Sequence, residues 1–157
     1  MSTEHNVVVT RVLDAPVEPV WRAWSESEQM MRWWGPTGFT CPVARMDVRE
    51  GSTSLVCMRS PDGHDIYNTW TYQRVAPMRE LEFIHRFADS DGNPLAPAAL
   101  GLPPDIPAEV RHVVVFRPVG EARTELTVTE YGYPSAQIVE LSKAGMEQCL
   151  DKLAAVV

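Results

Sequence analysis

Long apolar runs are missing from this 157-residue chain, which excludes a helical membrane span. The opening Met1-Ser2-Thr3-Glu4-His5-Asn6 is polar and acidic and leads into a β-rich run. No secretory signal is expected, and cytoplasm is the expected location. Cysteine is scarce too: Cys41, Cys57 and Cys149 are odd in number, far apart, and lack both metal-ligand spacing and a paired redox motif. They read as core thiols in a reducing compartment. Positive charge is short as well. Against 21 Asp and Glu stand 14 Lys and Arg, a formal net charge of -7, and no basic cluster is visible. Nucleic acid and anionic lipid are therefore disfavoured as partners.

Several catalytic signatures are absent: a Gly-rich phosphate loop with its Lys, a dinucleotide fingerprint, a nucleophile elbow. His5, His64, His85 and His112 supply no recognisable metal cluster, and Cys41 has no sequence-defined His partner. This reading needs no metal and no cofactor. Neither an internal repeat nor a second domain shows, so residues 1–157 read as one domain with its core at about 7–155.

What the chain does have is apolar content, 45% of residues with five Trp, ample for a core. Ser135 to Val157 reads as one long amphipathic helix. Ile138, Leu141, Gly145, Cys149, Leu150, Leu153 and Val156 recur at spacings near three and four, and Ser135 can cap the start. Almost everything before it reads as strand. Val7–Leu13 leads, then Asp14-Ala15-Pro16 opens a short helix with Val17, Val20, Trp21 and Trp24 on one face. Ser25-Glu26-Ser27-Glu28 offers a second cap, and Met30, Met31, Trp33 and Trp34 give another short helix ending at Gly35-Pro36.

Strands are then expected at Phe39–Val48, Thr53–Ser60, His64–Val75, Arg79–Phe87, Val110–Pro118 and Thr124–Tyr131. Asp62-Gly63 and Val119-Gly120-Glu121 mark tight connections, too short for helical crossovers, so the sheet is predominantly antiparallel. The fold class is α+β. Only Ala88–Ala108, with Pro94, Pro97, Pro103, Pro104 and Pro107, exceeds a hairpin connection. It can serve as an inert surface loop, a lid over a cavity mouth, or part of a homodimer contact.

This order, with Ala15-Pro16-x-x-x-x-Trp21-x-x-Trp24, Trp33-Trp34-Gly35-Pro36 and Gly145-Met146-x-x-Cys149-Leu150-x-x-Leu153, resembles the START-like, or SRPBCC, superfamily. The branch it is most similar to is named for homology to an activator of a heat-shock chaperone ATPase. The resemblance implies a helix-grip fold: a curved sheet of about seven strands wrapped around the long C-terminal helix, with two short helices after the first strand. It also implies an internal cavity whose occupant varies among members, which include lipid and hormone binders, cyclases or aromatases, and chaperone-associated domains. The branch often has Gly-Trp where this chain has Gly145-Met146, so a flexible side chain stands in for a rigid aromatic.

Alternation places Ile66, Asn68, Trp70 and Tyr72 on one strand face and Leu81, Phe83, His85 and Phe87 on the next. His112 competes for the inner face with Val113 and Val115, while Glu130 shares a face with Leu126 and Val128. Arg59, by alternation with Leu55 and Cys57, is expected inward. A buried Glu or His needs a hydrogen bond, a charge or water. His85 and Glu130 are thus the candidate general base or acid, or else structural groups. Trp33, Trp34, Arg59, Asn68, Trp70, Tyr72, Phe83, His112 and Met146 are the candidate ligand contacts. Tyr67, Tyr72 and Tyr131 offer phenolic donors.

Three function classes follow. The first is cofactor-independent binding of a small hydrophobic or aromatic ligand in the cavity. Cyclase, aromatase or hydrolase-like chemistry, with His85 or Glu130 moving a proton, is the enzyme alternative. A chaperone partner on the outer surface is the third, implied by the family branch alone.

Overall fold

Short, glycine-marked connections between alternating runs leave each strand nowhere to go except back beside its predecessor. The computed structural model describes residues 5–157. Met1 to Glu4, which the expectation about the N-terminus partly used, lie outside the described residues. The elements are β1 (His5–Leu13), α1 (Val17–Ser25), α2 (Ser27–Met30), β2 (Ala44–Arg45), β3 (Thr53–Arg59), β4 (Asp65–Ala76), β5 (Glu80–Ala88), β6 (Glu109–Val119), β7 (Arg123–Tyr133) and α3 (Ala136–Val156). One seven-stranded sheet runs in the order β1-β7-β6-β5-β4-β3-β2, every neighbour antiparallel. It curves around α3, which packs on β1 and β7. This is the expected α+β helix-grip architecture.

The Asp62-Gly63 turn forms as read: the Gly63 amide donates to the Ser60 carbonyl at 3.0 Å, with a positive φ of 88°. Ser135 caps α3, its Oγ accepting from the Ile138 amide at 3.3 Å. Ile138, Met146, Cys149, Leu150 and Leu153 turn inward.

Four local expectations need correction. The strand read at Phe39–Val48 shrinks to Ala44–Arg45 plus a single Thr40–Arg59 bridge. Pro42 brings no amide hydrogen to a ladder, and side chains serve the neighbouring backbone instead: the Met46 amide donates to Ser27 Oγ at 3.0 Å and the Asp47 amide to Ser54 Oγ at 2.9 Å. The second short helix stops at Met30, and Trp34 is reached through a turn closed by its amide on the Met30 carbonyl at 3.1 Å. Neither serine caps it, since Ser25 Oγ donates to the Trp21 carbonyl and Ser27 is taken by Met46. Leu141 is 63% exposed although it falls in the helix's apolar series.

Arg59 is the fourth. It points to solvent and forms a two-pronged pair with Asp65, Nε–Oδ1 2.7 Å and Nη2–Oδ2 3.1 Å. Ser54, Val56 and Met58 hold the inner face of β3, while the apolar Leu55 and Cys57 lie on its outer face. Cys57 stands across from Tyr67. Those two covered outer residues inverted the alternation.

The core is aromatic at its centre. Trp24 meets Trp33, Trp34 and Trp70 at ring-centroid distances of 4.9, 6.3 and 6.0 Å. Trp33 is fully buried and its Nε1 donates to the Ala23 carbonyl at 2.9 Å. Trp24 meets Trp33 and Trp34 edge to face, and aromatic packing of this kind adds about 0.5–1.5 kcal/mol per pair beyond burial. It fixes α1 and the turn after α2 against the sheet. Gly35, with φ 109°, lets the chain leave that turn. A Cβ there would come within 3.0 Å of Phe39 Cβ.

Candidate functional site

Antiparallel register builds the site in rows. Tyr72, Phe83, His112 and Glu130 stand directly opposite one another across β4, β5, β6 and β7. Beside them run Ser54, Trp70, His85 and Val110 on β3, β4, β5 and β6. Facing partners share one face of the sheet at close range. The result is a stack, Trp70 on Phe83 at 4.6 Å and Phe83 on His112 at 5.1 Å, with the His85 ring 5.3 Å from His112.

Where these rows meet α3 they leave a cavity of about 280 Å³. Its sheet wall is His85, Phe87, Val110, His112, Glu130 and Tyr133. The helix wall is Ile138, Leu141, Ser142, Gly145, Met146 and Cys149. Trp34, Pro36 and Met58 close one side, and Ile106 and Pro107, from the proline-rich segment, complete the lining. Leu141, exposed and yet in the lining, marks the mouth, where the cavity opens to solvent.

The polar groups gather on the sheet side, around Glu130, which is 2% exposed. Its Oε1 accepts from the Tyr133 hydroxyl and, at 2.7 Å, from Ser142 Oγ. Oε2 has no partner among the described residues. Burial and the adjacent carboxylate push the Tyr133 phenol well above its ordinary range, so it stays a donor. His112 Nε2 lies 3.7 Å from Glu130 Oε1, beyond hydrogen-bond reach, while its Nδ1 is 3.2 Å from the Val110 carbonyl oxygen. His85 Nδ1 is buried and without a partner among the described residues. Desolvation, aided by the neighbouring His112, lowers the His85 pKa to about 3, so its ring is neutral at physiological pH. Burial pushes the Cys149 thiol up to about 12, which makes it apolar wall rather than nucleophile.

Of the residues singled out in the sequence, the structure brings His85, Glu130, His112, Trp34 and Met146 to the cavity wall. Trp33, Asn68, Trp70, Tyr72 and Phe83 pack in the interior behind it; Arg59 is outside. Tyr72 is occupied with Ser54 at 2.8 Å, and Tyr131 lies under the Arg111 guanidinium at 4.6 Å. Asn68 is fully buried, with no partner for its amide among the described residues.

Sequence reasoning missed Tyr133 and Ser142, the groups that hold Glu130. The available signal was helical: Ile138, Ser142, Gly145 and Cys149 follow one another at spacings of four, three and four along one face of α3. Among the described residues no three His, Cys, Asp or Glu gather as a metal site, and no helix is long and apolar enough to cross a membrane.

No curated protein matches the chain. Solved structures do. A protein from Chromobacterium violaceum is 25% identical with a TM-score of 0.78, covering 98% of this chain and 96% of that one. A protein from Arthrobacter aurescens is 23% identical with a TM-score of 0.78, over 97% and 85% of the two chains. The AHSA1 protein of Silicibacter pomeroyi is 18% identical with a TM-score of 0.75, over 96% and 95%. These likenesses agree on the helix-grip fold. Residues 14–157 match the family described as "Activator of Hsp90 ATPase homolog 1-like protein", and the chain belongs to that family.

Proposed function

We propose that this protein binds a small hydrophobic or aromatic molecule in the cavity between sheet and helix, without a cofactor. One observation carries the reading: a largely apolar chamber whose few polar side chains lie mainly on the sheet wall, with His85 Nδ1 and Glu130 Oε2 both unpartnered among the described residues. Pockets of about 300–1,000 Å³ with a few convergent polar groups are the usual form of a small-molecule site. At about 280 Å³ this one suits a molecule of one or two rings. The apolar walls supply affinity, and the buried polar wall sets orientation.

Met146 lines the cavity and is 6% exposed, so Met146→Trp fills the space with the aromatic that the family branch often carries there. Native mass spectrometry of gently purified protein, before and after exposure to a metabolite extract, is expected to show a reproducible small-molecule adduct. The adduct should be missing from Met146→Trp at unchanged circular dichroism. An adduct that persists in the filled variant places the ligand elsewhere and removes the proposal.

Glu130 Oε2 favours one second reading, proton transfer to or from a bound carbonyl compound. Conversion of the adduct with time, lost in Glu130→Gln while binding persists, distinguishes it from simple occupancy. His85, neutral down to about pH 3, would serve such a reaction as acceptor rather than acid.

A further inference from the structure

The cavity's polar wall has acceptors to spare and few donors. The Val110 carbonyl can only accept, so the proton of that contact sits on His112 Nδ1. His112 Nε2 makes no hydrogen bond to Glu130, at 3.7 Å. The two hydroxyls at hand, Tyr133 and Ser142, are both engaged with Oε1 of Glu130. Oε2 is left buried and unpaired among the described residues, as is Nδ1 of His85, two strands away in the same lining. Glu130 is the sole carboxyl side chain among the lining residues, and no Lys or Arg is among them. The aromatic residues Trp34 and Phe87 are also in the lining.

We propose that the molecule bound here carries a protonated amine at its polar head, which donates to Glu130 Oε2 while its apolar body fills the rest of the cavity. The inference rests on the reading of the cavity as a ligand site and names the head group. A carboxylate or phosphate head would bring further acceptors against Glu130 Oε2, with both nearby hydroxyls already engaged. A hydroxyl head offers one hydrogen and no charge. An ammonium offers up to three hydrogens and the opposite charge, and aromatic faces attract cations further. An unpaired buried carboxylate is costly, and the amine supplies the partner it lacks. The chain's net charge of -7 draws cations toward it over longer range.

Isothermal titration with three probes of similar size tests this: 2-phenylethylamine, 2-phenylethanol and 3-phenylpropanoate, on wild type, Glu130→Gln and Met146→Trp. In wild type the amine is expected to bind roughly tenfold tighter than the alcohol, with the carboxylate weakest. Glu130→Gln should bring the amine to the alcohol's affinity while moving the alcohol by less than about threefold. An alcohol that binds as tightly as the amine in wild type overturns the proposal without any variant, so misfolding of Glu130→Gln cannot shelter it. An amine preference that survives in folded Glu130→Gln overturns it as well. Alcohol binding that Met146→Trp abolishes keeps the cavity reading intact even then, whereas failure of all three probes to bind wild type sinks both.

Discussion

Burial fixes the protonation state of His85, and that state is measurable through stability. Its pKa falls from 6.5 to about 3 on folding, chiefly because the ring loses water. The unfolded chain therefore binds a proton that the folded chain refuses between those two values. The stabilisation of the neutral ring is complete above about pH 6.5 and declines as pH falls toward 3, by at most about 1.4 kcal/mol per unit. His85→Phe keeps a ring of similar shape and should flatten that slope. Urea denaturation of both proteins at pH 7 and pH 5 reads the difference, and parallel losses would mean that the imidazole is already protonated or solvated in the native state. Alternation alone had put His85 and Glu130 indoors, because each lies in a clean apolar row: Leu81, Phe83 and Phe87 for one, Leu126 and Val128 for the other. It could not find Tyr133, which follows Gly132 at the very end of β7, where the period of two loses its meaning. Arg59 misled for the opposite reason, since β3 carries apolar residues on both faces.

Among the elements, α3 does more than its apolar stripe announces. Its polar side ties the chain together: Asp151 takes Arg11 of β1 at 2.6 Å, and Lys152 Nζ donates to the carbonyls of Gly35 and Phe39 at 3.0 and 2.8 Å. The second tie holds the turn that presents Trp34 and Pro36 to the cavity. Desolvation lowers the Lys152 pKa, in keeping with a head group committed to backbone rather than water. Lys152→Met retains the aliphatic stem and strips both carbonyls of their donor, a change expected to cost about 1–3 kcal/mol. Faster hydrogen exchange at the Phe39 and Thr40 amides should accompany it. Stability within about 0.5 kcal/mol of wild type would show that water serves those carbonyls equally well. The helix and its cap were plain in the sequence, being local periodicity and a local serine. These ties join residues more than a hundred positions apart, and nothing in a helix's own spacing reveals which of its charges reach back across the fold.

At the scale of the molecule, the two ends of the chain close one body. β1 comes first in the chain and pairs with β7, the last strand, its one strand neighbour among the described residues, and α3 packs on the pair. Neither β1 nor α3 has a core of its own: Val7, Val9 and Leu13 share one buried cluster with Ile138, Met146, Leu150 and Leu153. Elements joined in this way open as one cooperative unit. Native-state hydrogen exchange should therefore give the Val9 and Leu13 amides of β1 and the Leu150 and Leu153 amides of α3 the same opening free energy, within about 1 kcal/mol. The segment 89–107, outside the named strands and tied to β5 by the Ala88–Pro94 bridge and turns such as the Asp89–Asn93 pair, should open at far lower cost. Its closeness to the mouth through Ile106 and Pro107 gives that difference a use. A ligand can then pass by local opening of the segment while sheet and helix stay closed, and occupancy should protect both regions, by about 2.7 kcal/mol at a hundredfold excess over Kd for the global unit. If α3 instead exchanged at clearly lower free energy than β1, the helix itself would be the moving part, and access would run between helix and sheet.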